Sequence, residues 1–256
     1  MKFPNFIIIG ATKCGTTALW YNLDKHPEIT MATKTPDTIG MSFWHKKLSP
    51  TKDDLNWYKS KFSGEVSGEK TTAYYRSKQA MSNISKNIPD VKLILCIRNP
   101  VDCGYSKFQM DKRAARVFGD ITFDLFKKKY SQNGKFYKYI KANILPFFPK
   151  KNLYICIAEY MKSDITVEMG KVFSFLGVED LNYEGKIVPS VAKDRTGAAE
   201  KRVDIELSRH EQFYRIWSRG DVQIKEKLRH KLLDYYKKSN EDLFDFIGFD
   251  IKEWRQ

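Results

Sequence analysis

The tightest constraint on this chain is its opening stretch, Phe6-Ile7-Ile8-Ile9-Gly10-Ala11-Thr12-Lys13-Cys14-Gly15-Thr16-Thr17-Ala18-Leu19-Trp20. Four consecutive apolar residues, three of them β-branched, predict a strand buried on both faces, as in a parallel sheet. Gly10 to Gly15 then turn the chain, and a helix is predicted to begin at Thr16 or Thr17. Leu19, Trp20 and Leu23 supply its apolar stripe, and Pro27 ends it. A strand, a glycine-bounded loop and a helix N-terminus bring unpaired N–H groups and the positive end of a helix dipole to one point. Such a junction cradles phosphate.

The cradle departs from that of the nucleotide triphosphatases. A Walker A loop, G-x-x-x-x-G-K-[ST], carries its lysine after the second glycine, followed by a hydroxyl for Mg²⁺. Here the glycine spacing matches, but Thr16-Thr17 follow, and the lysine sits inside the loop at Lys13. The next strong strand, Lys92-Leu93-Ile94-Leu95-Cys96-Ile97, runs into Arg98, where a metal-holding strand would end in an acid. A cation there suits a second phosphate. The pattern points to a phosphorylated donor handled without metal.

Further strands are predicted at Gly64–Thr72, which delivers Glu69 and Lys70 to its C-terminal end, and at Asn152–Ile157. Helices are predicted at Asp54–Phe62, Ser77–Asn87, from Pro100 with Asn99 as its cap, over a basic stretch from Ile121 to Ile144, at Ser163–Leu176 closed by Gly177, and at about 201–217 and 223–243. Residues 28–44 and 180–200 read as loops. Alternating strands and helices predict an α/β, P-loop-like three-layer fold, with a central, mostly parallel sheet flanked by helices. The 256 residues are expected to form one domain, 1–256. Ligands of such sheets bind beyond the C-terminal ends of the strands, where Lys13, Lys70 and Arg98 all fall.

Charge narrows the ligand. Lys and Arg number 45 against 31 Asp and Glu, a net charge of +14, which favours anions. Ten of those cations, against three Asp, lie between Lys107 and Lys141, either as an anion-binding surface or as a solvated helical face. No nucleic-acid-reading motif accompanies them, so nucleic acid is not expected as a partner. The four cysteines, Cys14, Cys96, Cys103 and Cys156, contain no C-x-x-C pair, and no metal is expected. Cys96 and Cys156 read as buried thiols, and Cys14 as a space-filling or a reactive one. Trp20, Trp217 and Trp254 read as core anchors. With neither a signal-peptide pattern nor an 18-residue apolar span, a cytoplasmic protein without a membrane partner is the expectation.

Together these residues resemble the PAPS-dependent sulfotransferases, particularly the branch of carbohydrate and heparan-sulfate enzymes and their bacterial relatives. Lys13-Cys14-Gly15-Thr16-Thr17 is similar to the family's 5′-phosphosulfate loop, and Leu95–Asp102 through Tyr105-Ser106 to its 3′-phosphate motif. Gly68-Glu69-Lys70-Thr71-Thr72-Ala73-Tyr74 resembles the family's G-E-K-T-P-x-Y segment, and Phe175-Leu176-Gly177 and Lys193-x-Arg195-Thr196 also have counterparts. The resemblance implies PAPS as co-substrate, PAP as product and a glycan or small-molecule acceptor. It implies that Lys13 stabilises charge on the bridging oxygen, and that main-chain N–H groups from Gly15 to Ala18 (with Cys14 beside them) and the Thr16 and Thr17 hydroxyls hold the 5′-phosphate. Arg98 and Ser106 would bind the 3′-phosphate, Lys193, Arg195 and Thr196 would close over the nucleotide, and Lys70 would face the sulfuryl group.

One motif departs. Heparan-type relatives carry K-E-P-x-F-F with the Glu as base, whereas this chain has Lys34-Thr35-Pro36-Asp37. Thr35 is no ordinary base. Asp37, His45 and Glu69 are the replacements open to the sequence, with Glu69 alternatively orienting Lys70, and the change also bears on the acceptor. The rival readings are an ATP-dependent kinase or NTPase and a non-catalytic polyanion-binding protein.

Overall fold

Five strands, β1 (Phe6–Gly10), β2 (Ile29–Met31), β3 (Val66–Lys70), β4 (Lys92–Ile97) and β5 (Leu153–Ile157), pair in the order β2-β3-β1-β4-β5. Every neighbouring pair is parallel. The computed structural model describes residues 1–32, 40–47, 49–180 and 224–255. Phe6 to Ile9 are fully buried, as an unbroken apolar run at the centre of a parallel sheet requires.

Ten α-helices accompany this sheet among the described residues. They are α1 (Thr16–Asp24), α2 (Phe43–Lys46), α3 (Lys52–Lys59), α4 (Lys78–Asn87), α5 (Pro100–Arg113), α6 (Phe123–Lys129), α7 (Phe136–Tyr139), α8 (Ala158–Ser163), α9 (Ile165–Leu176) and α10 (Glu226–Ile247). Local chemistry sets several of their ends. Asn99 Oδ1 accepts from the N–H groups of Val101 at 3.0 Å and Asp102 at 3.4 Å, with Pro100 at the first helical position of α5. Asp164 caps α9, and Gly177, at φ 79°, closes it.

The order of the strands positions the site. From β1 the chain passes through α1 to β2 at one edge, and from β4 it passes through α5 towards β5 at the other. Connections therefore leave the adjacent strands β1 and β4 in opposite directions, opening a crevice between their C-terminal ends. The Ala11 N–H donates to Cys96 O at 2.8 Å, so the loops after β1 and β4 start side by side.

Two apolar cores support this arrangement. The larger envelops the sheet, and Trp20 and Trp254 are buried in it as anchors. A second joins Val101 and Phe108 of α5, Phe126 of α6 and Leu232 and Tyr236 of α10. The ion pair of Arg229 with Asp102, at 2.7 Å, also links α10 to α5.

Two expectations are corrected. Residues 28–44 are not all loop, because Ile29–Met31 is the edge strand β2, too short to show a period, and Phe43 begins α2. The 121–144 stretch is not one helix. It breaks into α6, a 3₁₀ turn at Ser131–Gly134 and α7, which runs into a π-helical turn at Ile140–Ile144. At the break a side chain on Gly134 would collide with Pro100. The predicted helix at 201–217 lies outside the described residues.

Candidate active site

The loop between β1 and α1 is shaped by its neighbours. A Cβ on Gly10 would run into the Tyr75 ring, so the strand leaves the sheet where only glycine fits. Lys13 and Gly15 both take left-handed backbone, at φ 70° and 82°, a conformation natural to glycine and strained for lysine. No side chain caps α1 and no acidic residue sits in its first turn. Its leading N–H groups and dipole therefore face the crevice without a carboxylate from the helix's own first turn, the electrostatic condition for an anion site.

Three cations surround that end. Lys13 is half-buried, and its pKa is lowered by burial first and then by the charges of Arg113 and Arg98. Neither Lys13 nor Arg98 has an ion-pair partner within 4.0 Å among the described residues. Like charges gathered this closely repel one another until an anion joins them. Lys70, 7% exposed at the end of β3, donates to Thr17 Oγ1 at 2.8 Å, and burial pulls its pKa down to about 8.

Helix α5 packs against the loop through Cys103. Its Sγ lies 3.3 Å from Thr12 O and 3.5 Å from Cys14 Sγ. Cys14 is a fully buried thiol whose pKa is raised by burial, so it fills space between loop and helix. Cys96 and Cys156 are buried too, opposite one another on β4 and β5. Ser106, Met110 and Arg113 follow Cys103 at i+3, i+7 and i+10, and so continue its stripe along α5. Sequence reading overlooked Arg113. The same helical spacing from Ser106 was its available signal.

Glu69 does not orient Lys70. Adjacent strand residues point to opposite faces, and the fully buried Glu69 carboxylate accepts from Tyr58 Oη at 2.8 Å, Thr71 Oγ1 at 2.8 Å and Tyr74 Oη at 3.2 Å. Burial raises its pKa to about 7 against those three hydrogen bonds. The group holds together an aromatic cluster with Phe43 and Trp44.

His45 stands in α2, its ring 5.1 Å from that of Tyr74 and its Nε2 buried without a hydrogen-bond partner among the described residues. The Gly40–Lys70 bridge, with the Ser42 N–H donating to Thr71 Oγ1 at 2.9 Å, joins its segment to the end of β3. Asp37, Lys193, Arg195 and Thr196 lie outside the described residues. Among the described residues, no group of three or more His, Cys, Asp or Glu is placed to hold a metal ion, and no helix is long and apolar enough to cross a membrane.

Comparison with known proteins agrees with this geometry. A family profile described as the sulfotransferase domain matches residues 3–193. The chain is 29% identical over 193 residues to heparan sulfate glucosamine 3-O-sulfotransferase 3B1 of Homo sapiens, a match covering 70% of this chain and 47% of that protein. It is also 29% identical over 193 residues to the human 3A1 protein, covering 70% of this chain and 45% of that one. The chain thus spans about half the length of these relatives. In fold it is similar to a sulfotransferase from Alicyclobacillus acidocaldarius, with TM-score 0.73, 19% identity and 100% of both chains covered. A mouse sulfotransferase, SULT7A1, complexed with PAP, superposes with TM-score 0.50 at 15% identity, covering 87% of this chain and 67% of that one.

Proposed function

We propose that this chain, which belongs to the sulfotransferase family, moves a sulfuryl group from PAPS to an acceptor hydroxyl or amine and releases PAP. One observation carries the reading. Among the described residues, a helix N-terminus without a side-chain cap and two cations without ion-pair partners, Lys13 and Arg98, meet at the crevice between β1 and β4. PAPS fits such a site because its anionic groups lie at two ends of one adenosine. It would supply an activated sulfuryl group.

The chain's residues then have separate tasks. The N–H groups from Gly15 to Ala18, with the Thr16 and Thr17 hydroxyls, hold the 5′-phosphate. Arg98 and Ser106 take the 3′-phosphate, Arg98 through paired charge-assisted hydrogen bonds. Lys13 stabilises negative charge as it grows on the bridging oxygen, an effect strongest in the transition state. Lys70 faces the transferring group, steered by Thr17. Lys193, Arg195 and Thr196 cover the nucleotide. As the acceptor's oxygen or nitrogen bonds to sulfur, the sulfur–oxygen bond to PAP breaks, its electron pair stays on the 5′-phosphate, and the acceptor proton passes to a base. Asp37 or His45 takes that proton.

A glycan acceptor is supported by the heparan sulfate relatives and by the excess of basic residues. The replacement of K-E-P by Lys34-Thr35-Pro36 favours a second reading, a small natural-product alcohol. Incubating the enzyme with PAPS and each acceptor class, then seeking the mass gain of one sulfuryl group, decides between them. Thermal stabilisation by Mg·ATP and not by PAP would overturn both.

A further inference from the structure

The corner between β4 and α5 is braced by a side chain from the next strand. Ile97 pairs with Ile157 at the ends of β4 and β5, which places Glu159, in the first turn of α8, beside Arg98-Asn99. Glu159 Oε1 accepts the Asn99 N–H at 2.8 Å. Asn99 is 1% exposed, and its own Oδ1 caps α5, so this residue ties strand end, Glu159 and helix start together. The second carboxylate oxygen of Glu159 is buried without a hydrogen-bond partner among the described residues, as is Asn99 Nδ2. A buried carboxylate oxygen left without a donor costs free energy. Burial raises the Glu159 pKa, with the Asn99 N–H first among the groups that oppose the rise.

We propose that Glu159 is a positioning residue for the 3′-phosphate: its bond to the Asn99 N–H fixes the peptide that follows Arg98, and thereby aims the guanidinium into the crevice. The inference rests on the reading of Arg98 as the 3′-phosphate ligand. Glu159 touches neither donor nor acceptor in this scheme. It acts through the backbone, where a small rotation at Asn99 moves the far end of an arginine by ångströms.

The experiment compares binding of PAP and of AMP, which lacks the 3′-phosphate, to the full chain by calorimetry. Wild type should prefer PAP, and absence of that preference would sink the Arg98 reading itself. Glu159→Asp keeps the charge but withdraws the oxygen from Asn99, and should cut the PAP-to-AMP preference about tenfold with AMP affinity unchanged, about 1.4 kcal/mol. Glu159→Gln keeps the accepting oxygen and should hold the preference within about twofold of wild type. In turnover, Glu159→Asp should raise the KM for PAPS more than it lowers kcat. A Glu159→Asp protein with the wild-type preference overturns the proposal, and so does a Glu159→Gln protein that loses as much as Glu159→Asp.

Discussion

The Lys70 ammonium donates to the Thr17 hydroxyl across 2.8 Å, linking the last residue of β3 to the first turn of α1. Strand and anion loop are thereby held in register at the point where charge must be handled. The bond also buries a cation, and burial alone pulls its pKa to about 8.

A bound dianion should reverse that shift. Nuclear magnetic resonance of ¹³C-labelled lysine should find Lys70 titrating near 8 in the free protein and at least about one unit higher once PAP is bound, because a nearby negative charge favours the ammonium. An unchanged titration would place the nucleotide elsewhere.

Lys13→Ala should lower kcat by about 10²–10³-fold, the range for removing one transition-state donor, and weaken PAP binding far less. Transfer from PAPS measured alongside PAP calorimetry separates the two effects. Equal losses in both would make Lys13 a simple binding residue.

Arg98→Ala should cost about 1.5–3 kcal/mol of PAP affinity, the worth of hydrogen bonds to a charged group, and leave AMP affinity nearly unchanged. Arg98→Lys should recover only part, since an ammonium cannot form the paired bonds of a guanidinium. A parallel loss for AMP would move Arg98 away from the 3′-phosphate.

Glu69 makes stability depend on pH. Its folded pKa of about 7 stands above the usual carboxylate value of 4.5, so the folded state binds the extra proton between these values. Its contribution is full below about pH 4.5 and is lost as pH rises through about 7, by an amount on the order of 3 kcal/mol. Chemical denaturation at pH 4.5 and 7.5 should show Glu69→Gln losing less stability across that interval than wild type. Equal slopes would mean that the carboxylate stays ionised in its cage of hydroxyls.

Much of this was legible from local pattern. The β1–loop–α1 junction and the cap at Asn99-Pro100 are written in contiguous residues, because buried parallel strands, tight turns and helix starts each demand particular side chains nearby. Lys13, Lys70 and Arg98 could be placed at one end of the sheet for the same reason. The edge strand β2 and the breaks in 121–144 could not, since three residues show no period and Gly134 is required by Pro100, distant in sequence.

By itself, then, the sequence determined the parallel α/β architecture and the positive anion loop, consequences of short-range stereochemistry and apolar spacing, and its motifs carried the resemblance to the family. Only the tertiary structure decided that Glu69 turns away from Lys70 into a cage of Tyr58, Thr71 and Tyr74. It alone brought Arg113 to Lys13 and Glu159 to Asn99. The physical reason is that burial and long-range contact set a side chain's charge state and aim, and these arise only when separate segments pack.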